Sequence, residues 1–296
     1  MEKSKYLRNA SYLAVFISII LVASKFVAWN LSSSVSLKAS LVDSILDAFA
    51  SLINFFAIKQ SLKPADKYHR FGHGKAEALA GLGQSAFIAG SALWILFEAI
   101  EKFITPKPIL NSNIGSFVMI LSIVLTLVLI SYQKFVIKKT NSLAIAADST
   151  HYKGDLLANV GVLVSLNISS FYDFPRLDAI IGAIIAFYIT KSSWEIFNKS
   201  LDVLMDRELD DHDRKKIEKI ISKSHEKVSG FHDLRTRSSG LNIFIQCHLE
   251  LPPELSLKEA HEIAHIVSDK ISVEYPSADI IIHQDPYDDS TSCYIK

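Results

Sequence analysis

The chain has 296 residues, 49% of them hydrophobic, and its 31 basic and 31 acidic side chains cancel overall. The cancellation hides a split: residues 1–200 carry 19 Lys+Arg against 12 Asp+Glu, and residues 201–296 carry 12 against 19. A basic apolar part therefore precedes an acidic part that holds seven of the ten histidines. An acidic soluble half argues against nucleic-acid binding. Two cysteines, Cys247 and Cys293, make neither a disulfide framework nor a thiolate zinc site. The sequence has no P-loop, no phospho-acceptor aspartate motif and no nucleophile–base arrangement, so it reads as neither an ATPase nor another enzyme.

Six stretches have the length and apolarity of membrane spans: residues 12–31, 37–58, 78–100, 114–137, 143–168 and 177–197. The basic start before the first span resembles a signal peptide, but its apolar run continues to about Trp29 with no small-residue cleavage site. Basic residues fall in alternate connections. Lys3, Lys5 and Arg8 precede the first span, Lys59, Lys63, Lys67, Arg70 and Lys75 follow the second, and Lys134, Lys138 and Lys139 follow the fourth. The other connections hold only Lys38, then Lys102 and Lys107, then Arg176. The positive-inside rule places both termini in the cytoplasm of a multi-pass protein of the inner (plasma) membrane.

The acidic part reads differently. Asp210 to Asp213 signal a helix start, followed by Ile217, Ile220 and Ile221 on one face. Strands follow at 231–237 and 241–251, then an amphipathic helix over 257–273 and a strand over 278–283. The fold class is thus an α-helical membrane protein with six transmembrane helices plus a small α+β cytoplasmic domain, of αββαβ order and ferredoxin- or metallochaperone-like. The expected domains are 1–206 for the six spans, 207–284 for the cytoplasmic domain, and a mobile tail over 285–296.

Chemistry concentrates in the spans. Asp43 and Asp47 lie four apart in the second, and His151 and Asp155 four apart in the fifth, so each pair shares one helix face. An ionisable group inside a membrane span costs about 2.5–3.5 kcal/mol on insertion scales, which marks such groups as functional. Three carboxylates and one imidazole suit a tetrahedral divalent-metal site. With span two running inward and span five outward, Asp43 is expected to face Asp155, and Asp47 to face His151. The alternatives are a structural hydrogen-bond network or a path for protons alone.

These residues, with the segments PADKYHRFGHGKAEALA, HDLRTRSSG and IIHQDP, resemble the cation diffusion facilitators, in their bacterial FieF-like branch. The resemblance covers nearly the whole chain. It implies a homodimeric exporter in the lipid bilayer that moves Zn(II), or alternatively Cd(II), Fe(II) or Co(II), out of the cytoplasm in exchange for protons. Imidazole suits these ions better than Mn(II), and because a free imidazole titrates near neutral pH, His151 is the candidate proton carrier. The resemblance also implies a second site at Asp66, His69 and His73, residues that by themselves read as a solvated loop. It implies a binuclear zinc site at His232, His248, His261, His283 and Asp285, the aspartate bridging two metals, with regulatory Zn(II) as ligand. It further implies a hinge pair between Lys75 and Asp206 that locks the dimer. The competing function is a proton-driven carrier or channel for a non-metal solute, which would leave the tail histidines unexplained.

Overall fold

A computed structural model describes residues 2–32, 35–105, 113–171 and 176–287, and the chain divides into two units, Met1–Leu201 and Asp202–Lys296. The first unit is built from six long helices: α1 (Glu2–Ser32), α2 (Val35–Ser61), α3 (Lys75–Ile104), α4 (Asn113–Thr140), α5 (Leu143–Phe171) and α6 (Leu177–Leu204). Stretches of α1, α2, α3, α4 and α6 are long and apolar enough to cross a membrane. Among the described residues α5 does not reach that mark. Asp148, His151, Lys153 and Asp155 place four ionisable side chains within eight residues of its first half. It packs against α1, α2, α3 and α4, so its polar side chains meet protein.

Each helix exposes large apolar side chains outward, among them Phe16, Phe49, Trp94, Phe117 and Phe187, as a lipid-facing bundle must. The interior is made of small and polar residues as much as aliphatic ones: Ser51, Asn54, Gln84, Ser85 and Gln133 are buried. Small residues let helices approach closely. A methyl group added at Gly154 or Gly161 of α5 would come within 2.9 Å of Ile189 or 2.8 Å of Ile181 on α6. The α4–α5 corner is equally tight. Asn141 takes a left-handed conformation (φ 54°) that ends α4, and the Ser142 hydroxyl accepts the Ile145 amide at the start of α5.

The second unit follows the order α7 (Asp211–Ser222), β1 (Gly230–Ser239), β2 (Asn242–Leu251), α8 (Leu257–Glu274), β3 (Ala278–Pro286). Asp210 caps α7 through the Asp213 amide, and Ser256 with Glu259 forms a reciprocal capping box on α8. The sheet order is β1-β2-β3, with β1–β2 antiparallel and β2–β3 parallel. Ile217 and Ile221 of α7 and Ile263, Val267 and Ile271 of α8 close one face of the sheet over Ile245, Cys247, Leu249 and Leu251. Residues 285 and 286, expected in a tail, belong to β3. Asp285 pairs with Glu250 and Pro286 with Leu251, because the parallel ladder runs to the end of β2. Cys293 and the rest of the expected tail lie outside the described residues.

Candidate metal sites

The first half of helix α5 is buried among its neighbours, so a side chain on its inner face is presented to α2 and α3. His151 is 5% exposed, with its ring against Phe87 of α3 and Tyr152. Its Nε2 lies 2.9 Å from Asp47 Oδ1 and 3.7 Å from Asp155 Oδ2. Each of the three residues offers a ligand atom within 4.8 Å of the others. The α2–α5 pairing of Asp47 with His151 matches the level expected from helix direction. Asp43 stands apart: it is exposed and outside this trio, one turn along α2.

Beside the trio is a carboxylate that the sequence reading passed over. Asp148 is fully buried, one turn before His151. It accepts hydrogen bonds from Gln133 Nε2 (2.6 Å), Gln84 Nε2 (3.3 Å) and Ser51 Oγ (3.4 Å), and Ser51 in turn meets the Tyr152 hydroxyl at 2.8 Å. The carboxylate ties α2, α3, α4 and α5 together directly beneath the histidine. Its i, i+3 spacing to His151 was the available signal.

The loop between α2 and α3 gathers Asp66, His69 and His73. Asp66 Oδ1 accepts the Tyr68 and His69 amides at 2.8 and 2.7 Å, and these two bonds hold its carboxyl below the usual carboxylate range. His69 Nδ1 and His73 Nε2 lie 3.5 and 3.4 Å from the two Asp66 oxygens. The fold needs this turn for its own sake as well, and Gly72 at φ 80° closes it.

In the second unit the strand register lines up three histidines. His232 pairs with His248, and His248 with His283, across β1, β2 and β3. Asp285 Oδ2 lies 2.8 Å from His248 Nδ1 and 3.4 Å from His232 Nε2, while Oδ1 lies 3.0 Å from His283 Nε2. One carboxylate thus faces two groups of imidazoles, the geometry a bridging ligand needs. Two further carboxylates join: Glu250 Oε1 at 2.8 Å from His232 Nδ1, and Asp233 Oδ2 at 4.0 Å from His248 Nε2. Glu250 was legible, because it follows His248 by two on one strand. Asp233 was not, because a register shift between His232 and Arg235 and a positive φ of 49° turn it inward.

His261 is not brought to this cluster within one chain. It is exposed on α8, whose buried side covers the apolar face of the sheet, and its Nε2 lies 3.1 Å from that of His265. Lys75 begins α3, and Asp206 follows α6, where its Oδ1 accepts from Arg237 at 3.1 Å. Cys247 is core, as its alternation with His248 implies, and burial pushes its thiol up to about 11.

Comparison with known proteins matches residues 11–205 to the cation efflux transmembrane domain and residues 209–287 to the cation efflux protein cytoplasmic domain. The chain belongs to the cation efflux family. A cation-efflux pump FieF of Shewanella oneidensis is 44% identical over 95% of this chain and 94% of the pump. The FieF of Serratia proteamaculans is 41% identical over 96% and 94%. A solved Zn form of CzrB is 23% identical, with a TM-score of 0.26 over 27% of this chain and 92% of that one. As a member of the cation efflux family, the chain is a multi-pass membrane transporter that exports divalent metal cations, and not an enzyme.

Proposed function

We propose that this transporter exports Zn(II) from the cytoplasm in exchange for protons, with Cd(II), Fe(II) and Co(II) as further cargo. The observation that carries this reading is His151 held between Asp47 and Asp155 inside the helix bundle. An imidazole among carboxylates favours zinc-like ions over manganese and magnesium. Its ligands must shed protons to take the metal, which couples the two gradients. Metal loads from the cytoplasmic side, and protons displace it on the far side as the bundle alternates its access. Asp43, one turn from Asp47 on the same face of α2, supplies the fourth ligand in another state of that cycle.

The protein works as a homodimer in the inner membrane, both termini cytoplasmic. The Asp66–His69–His73 loop is a second metal site at the cytosolic boundary. The His232–His248–His283–Asp285 cluster is a cytoplasmic zinc site, completed by Glu250 and Asp233, and His261 belongs to it only if another copy supplies that residue. Occupancy of the cluster biases the transporter by binding one arrangement of the two cytoplasmic domains better than another. Lys75 and Asp206 form the hinge pair of the dimer.

The test is a metal panel in proteoliposomes with an imposed pH gradient. Zinc uptake driven by the gradient in the wild type, and lost in Asp47→Ala and His151→Ala, is the expected result. Gradient-driven uptake unaffected by His151→Ala would refute the assignment. Calorimetric zinc binding that Asp47→Ala leaves intact would favour the proton-only reading.

A further inference from the structure

Helix α1 carries one cation in the middle of an apolar sequence, Lys25, between Ala23, Ser24 and Phe26, Val27. No part of the transport chemistry described above uses it. An ammonium at this depth costs about 2.5–3.5 kcal/mol on insertion scales, so its position needs a reason. Its Nζ donates to Ser44 Oγ at 2.6 Å and to the Ser40 carbonyl at 3.2 Å. Ser40 and Ser44 are one turn apart on α2, interleaved with Asp43 and Asp47. The anchors of the lysine and the carboxylates of the metal site are therefore one piece of helix. The ammonium acts electrostatically on Asp47, Asp155 and Asp43.

We infer that Lys25 is a fixed counter-charge of the transport site: a tethered cation that limits how tightly the carboxylates hold the divalent ion and so permits its release. This rests on the proposed transport role of Asp47, His151 and Asp155 and deepens it.

The physical argument is one of balance. Two carboxylates held against one imidazole in a low-dielectric bundle, with Asp43 a turn away on α2, repel one another and bind any cation tightly. An exporter must also let its cargo go. A positive charge nearby stabilises the carboxylates once the ion has left and weakens their hold while it is bound. It acts in the same sense on protons.

The groups facing Lys25 are few. Asp43 and Asp47 come from α2, and Asp155 with its partner His151 comes from α5. Helix α4 also packs on α1, but its cations Lys134, Lys138 and Lys139 belong to the other end. Phe135 meets Tyr6, whereas Val118 packs with Ala28. Nineteen residues separate Tyr6 from Lys25, about 28 Å of helix. The tether supports a charge role over simple packing. Two hydrogen bonds hold the ammonium in place, so it is neither free to snorkel to the interface nor free to enter the ligand trio.

The experiment uses the full-length protein in proteoliposomes, with Zn(II) as the probe, and compares Lys25→Gln, Lys25→Met and Lys25→Arg. The neutral variants should bind zinc about tenfold more tightly at the intramembrane site, since a unit charge has been removed from its surroundings. Their KM and kcat should both fall, because release slows. The metal-free site should take up its protons at higher pH, because the carboxylates lose a neighbouring cation. Lys25→Arg keeps the charge and should stay near the wild type in all three. Unchanged Kd and pH midpoint in folded Lys25→Gln would overturn the counter-charge. So would failure of both neutral variants to fold while Lys25→Arg folds, which would assign Lys25 to the α1–α2 tether. If the wild type itself binds no zinc sensitive to Asp47→Ala, the transport-site reading falls first, and that result is read separately.

Discussion

Asp148 shows how much a single buried side chain can organise. Its carboxylate accepts from three helices, so Asp148→Ala leaves the Gln84, Gln133 and Ser51 donors without it. Each stranded buried donor costs about 1–3 kcal/mol. A lowered melting temperature in detergent is expected, with Asp148→Asn less affected because it retains an acceptor oxygen. Cys247 provides a second test at this scale. Its thiol is buried and held at about 11, so a maleimide should leave it unmodified in the native protein at pH 8 and label it on denaturation. Mass spectrometry of a Cys293→Ser protein reads this directly. Asp66 sets a pH expectation. Its two backbone amides lower its pKa, so the contribution of this turn is full above the unfolded value of about 3.9 and is lost only as pH falls through the lower folded value. Asp66→Asn removes the carboxylate between His69 and His73 and should weaken zinc binding by the loop at neutral pH, as a zinc titration would show.

Among the elements, β2 carries two jobs on two faces. Ile245, Cys247 and Leu249 build the core of the second unit, and His248 and Glu250 build its polar face. Ile245→Ala should cost that unit about 2–5 kcal/mol, read as faster amide exchange in β2 and β3. Ser256→Ala, which removes the capping box of α8, should cost about 1 kcal/mol by the same measurement. The strand pattern was readable from alternation. The alignment of His232, His248 and His283 was not, since register between strands distant in sequence depends on the turn and the bulge near Asp233. The same limit applied in the membrane. Helix periodicity gave the faces of α2 and α5 but not that Asp47, rather than Asp43, would meet His151 and Asp155 together.

At the scale of the whole molecule, metal preference follows from the donor set. His151→Asp replaces the imidazole with a fourth carboxylate, and selectivity should move from zinc toward manganese, measured as the ratio of uptake rates in the same vesicles. The two units divide the chemistry: the trio around buried His151 and the loop cluster lie in Met1–Leu201, and a half-buried cluster on the sheet lies in Asp202–Lys296. Removing His232 and Asp285 together should abolish zinc-dependent rate changes while leaving basal uptake in place. A rate response that survives the double substitution would refute the sensor role of the cytoplasmic cluster.

The sequence by itself determined the apolar helices, the αββαβ order, and which residue types could hold a metal, because hydrophobic period and donor chemistry are local properties. It also displayed Lys25 and Asp148 plainly, yet gave them no meaning, since a lone charge in an apolar run acquires one only from what packs against it. The tertiary structure decided that. It set Lys25 on Ser40 and Ser44, enclosed Asp148 between two glutamines, and kept His261 on the far side of the sheet from His232. Those outcomes depend on helix rotation and strand register, which many distant contacts fix together and no short stretch of chain encodes.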